Sequence, residues 1–414
     1  MIRSVLRASA LAVSSVAAVA LPVRLAWADP AFQIVESVPE NTIYGQPGVP
    51  RTQAVWLDMI GGAQHSIDVA AFYITDKPGK AMAPVLDRLI ERAKAGVKVR
   101  LLVGRAFMRE TGPSIERLRN IPNLEIAILP TPSLTGGVLH AKYMIVDGEK
   151  VFVGSQNWDW RALEQIHEIG AEITDARFGA SFEADFAELW ALAQGEELPK
   201  AQKAAALPAG FRPATENDPV LLDGGLIAFP AFSPPEMMPS FLSAEQPALI
   251  HLIEAARHRL RIQVMTLSAL KGYGAKGWWP ELDTAIRDAA ARGVSVQIVV
   301  ADWSLTEPSQ AYLKSLAVMP GIELRFSTVP ELASGHIPYA RVEHCKYAVA
   351  DDDAVFIGTG NWEWSYFNNT VDASVIVHGA APAATLNAIF ERDWNGPYVT
   401  RLQPGTTYAP PHNN

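Results

Sequence analysis

LHAKYMIVDGEKVFVGSQNW, residues 139–158, and EHCKYAVADDDAVFIGTGNW, residues 343–362, are two versions of one segment set 204 residues apart. Each holds a His-x-Lys pair (His140 and Lys142; His344 and Lys346), then a Tyr, an Asp, a Gly and an Asn-Trp pair at the same positions. Three more blocks repeat upstream in the same order. HSIDVAAFYIT from His65 answers HRLRIQVMTLS from His258, AGVKVRLLV from Ala95 answers RGVSVQIVV from Arg292, and NLEIAIL from Asn123 answers GIELRFS from Gly321. Four ordered blocks make the chain an internal duplication.

Within each copy, apolar strand-like runs alternate with helical patterns. LDRLIERAKAG (86–96) and LDTAIRDAAARG (282–293) carry apolar residues at three- and four-residue spacing and end on glycine. Strand, helix and strand in repetition predict an α/β fold of α+β sandwich type, with one mixed sheet flanked by helices in each half. The Pro- and Ala-rich passage 199–219 reads as the linker between halves at 29–198 and 220–414. At 414 residues the chain has length for two such units.

The first 28 residues read as an address. Arg3 and Arg7 precede an apolar run from Ala8 to Pro22, and Ala26-Trp27-Ala28 supplies small residues at a cleavage point. This is the layout of a bacterial secretory signal cut after Ala28, which predicts a periplasmic or secreted protein with no permanent membrane span. Cleavage removes Arg3, Arg7 and Arg24 and no acid, moving the formal charge from −9 to −12. An acidic surface excludes a histone-like nucleic-acid coat but leaves room for a local cationic pocket. The single cysteine, Cys345, excludes an intrachain disulfide and a cysteine zinc cluster.

The period of two in a strand puts His140 with Lys142, and His344 with Lys346, on a common face. Imidazoles beside ammonium groups are poor core filling, and their duplication points to chemistry. Two lysines and the amides of Asn157 and Asn361 suit the negative oxygens of a phosphodiester. One histidine attacks phosphorus while the other protonates the leaving oxygen. This reading requires no cofactor and no metal ion. Glu168 and Asp372 stand 28 residues after His140 and His344 in strand-like sequence. Their equal spacing predicts one acid–histidine pair inside each half, with the acid fixing the tautomer.

The H-x-K-x4-D motif followed by G-S-x-N and G-T-x-N resembles the phospholipase D superfamily. The likeness runs nearly end to end through VESVPE, GSQNWDWRALEQIHEIG, WWPELDTAIRDAAARGV, WSLTEPS and IPYARVEHCKYAV. More narrowly, it resembles the animal lysosomal phospholipase-D-like 5′ exonucleases and their poxvirus relatives. The resemblance implies two halves about a pseudo-twofold axis that share one active site. It implies catalytic roles for His140, Lys142, Asn157, His344, Lys346 and Asn361, orienting roles for Glu168 and Asp372, and structural roles for Asp147 and Asp351. The animal proteins are membrane-tethered and disulfide-bonded; this sequence has a cleavable-looking signal and, with one cysteine, cannot form those bridges.

The expected activity is that of a metal-independent phosphodiesterase working through a phosphohistidine on single-stranded DNA or RNA. Phospholipid hydrolysis is the alternative, followed by a phosphatidyltransferase of cardiolipin-synthase type. The sequence leaves the nucleophile's identity and a homodimer open. Aromatics near the motifs (Trp158, Trp160, Trp362, Trp364, Tyr366, Phe367, with Trp278 and Trp279) could stack bases, line an acyl groove or fill the core. Cys345, between His344 and Lys346, is expected on the opposite face as a small buried hydrophobe.

Overall fold

The computed structural model describes residues 31–198, 201–202, 210, 212–272 and 276–409. The expected signal at 1–28 lies outside the described residues, as do 199–200, 203–209 and 211 of the expected linker.

The duplication is visible strand by strand. One sheet runs Phe32–Ser37, Glu168–Thr174, Lys150–Gly154, Lys142–Val146, Ser66–Ala71, Lys98–Gly104 and Leu124–Leu129. The second runs Leu226–Ser233, Asp372–His378, Ala354–Gly358, Lys346–Ala350, Arg259–Val264, Ser295–Ala301 and Ile322–Ser327 in the same order, extended by short edge strands. Both sheets are mixed. The strand Ser66–Ala71 is parallel to Lys98–Gly104 and antiparallel to Lys142–Val146, and Arg259–Val264 has the same two relations to its neighbours. The central strands are rich in Val, Ile and Leu because outer helices cover one face of each sheet and the shared central layer covers the other.

The helical patterns become Met82–Lys94 and Pro280–Ala291. The second starts with Pro280 in its first turn, where a missing N–H costs nothing. Gly96 and Gly293 follow at φ +104° and +93°, a left-handed stop that glycine accepts without strain.

Alternation sorts each strand between two cores. Tyr143 and Ile145 face a central layer between the sheets, while Met144 and Val146 face the outer helices of the first half. The central layer also takes Phe178, Phe182 and Phe186 from the helix Ala176–Ala193, and Leu386, Ile389 and Phe390 from Ala380–Trp394. Tyr347, Val349, Val375 and Val377 of the second sheet join it, so one hydrophobic core belongs to both halves.

The strands around the paired motifs begin later than expected. They start at Lys142 and Lys346, leaving His140 and His344 just ahead of them on connecting backbone. Trp158, Trp362, Phe367 and Trp279 are core residues, and Trp158 stacks on Trp56 with centroids 4.8 Å apart. Cys345 is buried in the central layer. Among the described residues no helix is long and apolar enough to cross a membrane.

Candidate active site

Two short backbone bridges join the halves, and they decide which acid meets which histidine. Leu139 pairs with Val371, and His167 pairs with Glu343. The N–H groups of His140 and Ala141 both donate to the Val371 carbonyl at 2.8 Å, and the His344 N–H donates to the His167 carbonyl at 2.9 Å. Asp372 follows Val371, and Glu168 follows His167. His140 Nδ1 therefore lies 2.9 Å from Asp372 Oδ1, and His344 Nδ1 lies 2.7 Å from Glu168 Oε2. This corrects the sequence expectation of a pair inside each half. Each histidine takes its carboxylate from the other half. The spacing of 28 residues is the same for both arrangements, so sequence alone did not distinguish them.

The four charged chains behind the histidines are buried. Lys142 and Lys346 have no exposed surface, and neither does Glu168; Asp372 is 1 % exposed. Lys142 Nζ donates to the His140 carbonyl, and Lys346 Nζ donates to that of His344 at 2.6 Å. Each lysine is thus folded back onto its own motif, on the side of its histidine.

Burial first, and then the charges of Lys142 and Lys346, hold His140 well below the usual imidazole range. His344 is depressed by burial, by Lys346 and Lys142, and by His140 itself. That each ring feels both ammonium groups marks one site. Burial also lowers Lys346 to about 8, against the opposing pull of Glu168. Asp372 is pushed up to about 7 by burial, with Lys142 and a hydrogen bond from Thr359 resisting.

Asn157 and Asn361 are each 5 % exposed. Their Oδ1 atoms, with Glu168 Oε1 and Asp372 Oδ2, are buried without a hydrogen-bond partner in the protein. Glu168 and Asp372 thus each keep one oxygen free while the other meets a histidine.

Comparison with known proteins agrees with this geometry. The family described as "Cardiolipin synthase, PLD-like domain" matches residues 56–190 and 249–394, one range in each half. The chain is 32 % identical over 391 residues to the human "5'-3' exonuclease PLD3", covering 88 % of this chain and 79 % of that protein. It is 30 % identical over 400 residues to the Xenopus laevis protein of the same name, covering 89 % and 80 %. The chain belongs to the phospholipase D superfamily. Its fold also matches that of a phosphatidylserine synthase from Haemophilus influenzae, with a TM-score of 0.57 at 14 % identity over 84 % of this chain and 85 % of that one. It is an enzyme that hydrolyses phosphodiester bonds.

The motif aspartates of this superfamily member sit at the far ends of the motif strands. Asp147 and Asp351 both adopt φ +53°. Asp147 accepts the backbone N–H groups of Gln64, His65 and Ser66 at 2.7–2.9 Å, and Asp351 those of Arg257, His258 and Arg259 at 2.8–3.0 Å. Partial burial pulls their pKa values up, and three donated N–H bonds outweigh it, so both stay low. They clamp the turn before Ser66–Ala71 and Arg259–Val264.

Sequence reasoning missed two features of the superfamily site. Thr359 Oγ1 donates to Asp372 Oδ1 at 2.6 Å while accepting from Ala373 N at 3.0 Å. Its counterpart Ser155 exchanges bonds with the Ile169 backbone and helps hold the Glu168 charge. A hydroxyl two residues before each motif asparagine was the available signal. The second feature is a buried network beside the site. His167 Nδ1 lies 2.7 Å from Glu343 Oε2, and its Nε2 lies 3.1 Å from Glu36 Oε1, with Arg392 donating to Glu36 and Asp393. His167, Glu343 and Cys345 are metal-type donors close together. Burial lowers the His167 pKa but the facing carboxylates, Glu343 first, drive it up to about 10. The ring is thereby held as an imidazolium among facing carboxylates.

Proposed function

We propose that this phosphodiesterase is exported and removes nucleotides from the 5′ end of single-stranded DNA or RNA through a phosphohistidine, without a metal ion. The observation that carries the chemistry is the pair of crossed His–carboxylate contacts beside two buried lysines. With each Nδ1 held by an acid, each Nε2 is the nitrogen left for substrate.

In this reading the halves 29–198 and 220–414 form one catalytic unit joined by 199–219. A phosphodiester anion settles between Lys142 and Lys346, with the amides of Asn157 and Asn361 donating to its oxygens. Its negative charge offsets the ammonium groups that depress both imidazoles, so one ring can carry a proton. One Nε2 bonds to phosphorus as the P–O bond to the departing 5′ oxygen breaks, and the other ring gives that oxygen its proton. The second ring then takes a proton from water as the water oxygen displaces the first ring from phosphorus. A 3′-phosphorylated nucleotide leaves, and both rings return to their starting state.

The substrate class rests on the relatives, which are named as 5′-3′ exonucleases and resemble this chain over nearly nine-tenths of its length. An acidic protein opposes long polyanions, but a strand end presents only one or two phosphates to a local lysine pocket. Export rests on the address at 1–28, with Asp29 as the expected first residue.

The deciding experiment offers the protein 5′-hydroxyl single-stranded DNA and phosphatidylcholine side by side, each with EDTA. Nucleotide release that EDTA leaves unchanged is expected. Choline release without nucleotide release would reassign the substrate to phospholipid, and strict metal dependence would overturn the mechanism.

A further inference from the structure

The pseudo-twofold relation breaks down at the two approaches to the site. On the His140 side a cavity of about 150 Å³ reaches the imidazole. Its walls include Phe72, Phe107, Tyr366, Gly137, Val138 and Thr370. The His140 ring lies 4.7 Å from the Phe72 ring and 4.9 Å from that of Tyr366, and Phe107 backs Phe72 edge-on at 4.5 Å. All three aromatic rings are half-buried, so each shows a face or an edge to the space.

The corresponding positions on the His344 side carry different residues. The 204-residue offset relates Gly137 to Arg341, Thr370 to Ile166 and Tyr366 to Ala162, and strand alignment relates Phe72 to Met265. Ile166, Val342, Met265 and Trp303 pack into a small apolar cluster there. Arg341 is 4 % exposed, with its guanidinium donating to the carbonyls of Pro330 at 2.7 Å and Glu40 at 2.8 Å. Gly137 also has no room for a side chain, because a Cβ would collide with the Asn369 carbonyl oxygen. One approach is hollow and aromatic; the other carries an apolar cluster and a buried arginine.

Near Gln165 and Glu40, which contact Arg341, the chemistry changes. A hollow of about 430 Å³ holds Trp160 with three cations over its ring, Lys80 at 5.2 Å, Lys77 at 5.3 Å and Arg161 at 5.8 Å, but Lys80 is paired with Glu164 and Arg161 with Asp159, and Glu40 also lines the space. A flat uncharged ring favours the aromatic cavity instead.

We propose that the cavity between Phe72, Phe107 and Tyr366 is the seat of the terminal nucleobase. This rests on the exonuclease reading and adds the site that holds its terminal base. The space is compact, about 150 Å³, and its aromatic walls suit a flat ring system. Because every base has a stacking face, the seat selects for a base without selecting which base.

The test compares single-stranded oligonucleotides that differ only in whether the 5′-terminal nucleotide carries a base or is abasic. Losing one stacked base is worth about 1–3 kcal/mol, so kcat/KM should fall about 5- to 150-fold on the abasic strand. An abasic residue placed four nucleotides inward should change the first turnover less than twofold. Phe107→Ala should shrink the terminal-base preference at least threefold, with its melting temperature measured alongside; if it does not fold, the native comparison decides alone. Equal rates on both strands would overturn the base seat while leaving the exonuclease reading intact. Hydrolysis of bis(4-nitrophenyl) phosphate with no release from any strand would overturn both.

Discussion

His140 Nδ1 lies 2.9 Å from Asp372 Oδ1, a carboxylate 232 residues away in the opposite half. The reciprocal contact joins His344 to Glu168 across 176 residues. Crossed contacts make a specific spectroscopic expectation. Asp372→Asn should shift or remove the hydrogen-bonded Nδ1 proton signal of His140 and leave that of His344 in place; Glu168→Gln should do the reverse. Proton–nitrogen NMR on histidine-labelled protein reads this directly, and the opposite assignment would show that the pairs lie within the halves.

A shared site also sets the cost of losing either ring. His140→Ala and His344→Ala should each lower turnover by at least about 10²–10⁴-fold, the usual scale for acid–base groups. A variant with half the native rate would mean two independent sites. Acid-quenched mass spectrometry during turnover should find phosphate on one of these two histidines.

The alkaline limb of the pH profile should report the two lysines. Burial holds Lys142 well below the usual ammonium range, with Asp372 and Glu168 opposing, and brings Lys346 down to about 8, so the loss of charge near pH 8 is that of Lys346. In the free enzyme kcat/KM should therefore fall as pH rises through about 8. Lys346→Arg, if it folds, should move that limb upward, because a guanidinium stays charged throughout. A profile flat to pH 10 would remove the lysine from phosphate binding.

The buried network makes a separate prediction about stability. His167 titrates near 10 against 6.5 for a free imidazole, a raised value driven by Glu343 and Asp393 against the opposing effect of burial. Its contribution is complete below about pH 6.5 and is lost as pH rises through about 10. Glu36, lowered to about 2 by His167 and Arg392 against burial, contributes fully above about pH 4.5 and loses its share as pH falls through about 2. Thermal melts from pH 7 to 10.5 should show the alkaline loss. His167→Ala should destabilise the protein by about 3–5 kcal/mol, because it strands buried carboxylates. A change below 1 kcal/mol would show that the network contributes little.

The architecture was legible because duplication repeats its own pattern: the blocks around Val69 and Ile262 alternate alike, and the motif offset picks out His140, Lys142, His344 and Lys346 as a set. Glu168 and Asp372 were legible as acids but not as partners, since one spacing fits both wirings. Backbone bridges at Leu139–Val371 and His167–Glu343 settle it, and such bridges leave no periodic trace in sequence. Phe72 and Phe107 escaped notice because they come from the ends of other strands and owe their place to tertiary packing. The signal for the broken symmetry was present in Gly137 against Arg341, but it lies outside the repeated motif.

The central core owned jointly by both halves bears on how the chain is made. Tyr143, Phe182 and Phe186 bury themselves against residues such as Phe232 and Tyr347. Synthesis at roughly 5–20 residues per second puts about 10–40 s between one copy of the motif and the next. Throughout that interval the newborn first half presents a greasy, uncovered sheet and helix. It is then a client for holding chaperones, and a polypeptide truncated after it would aggregate rather than survive as a smaller enzyme.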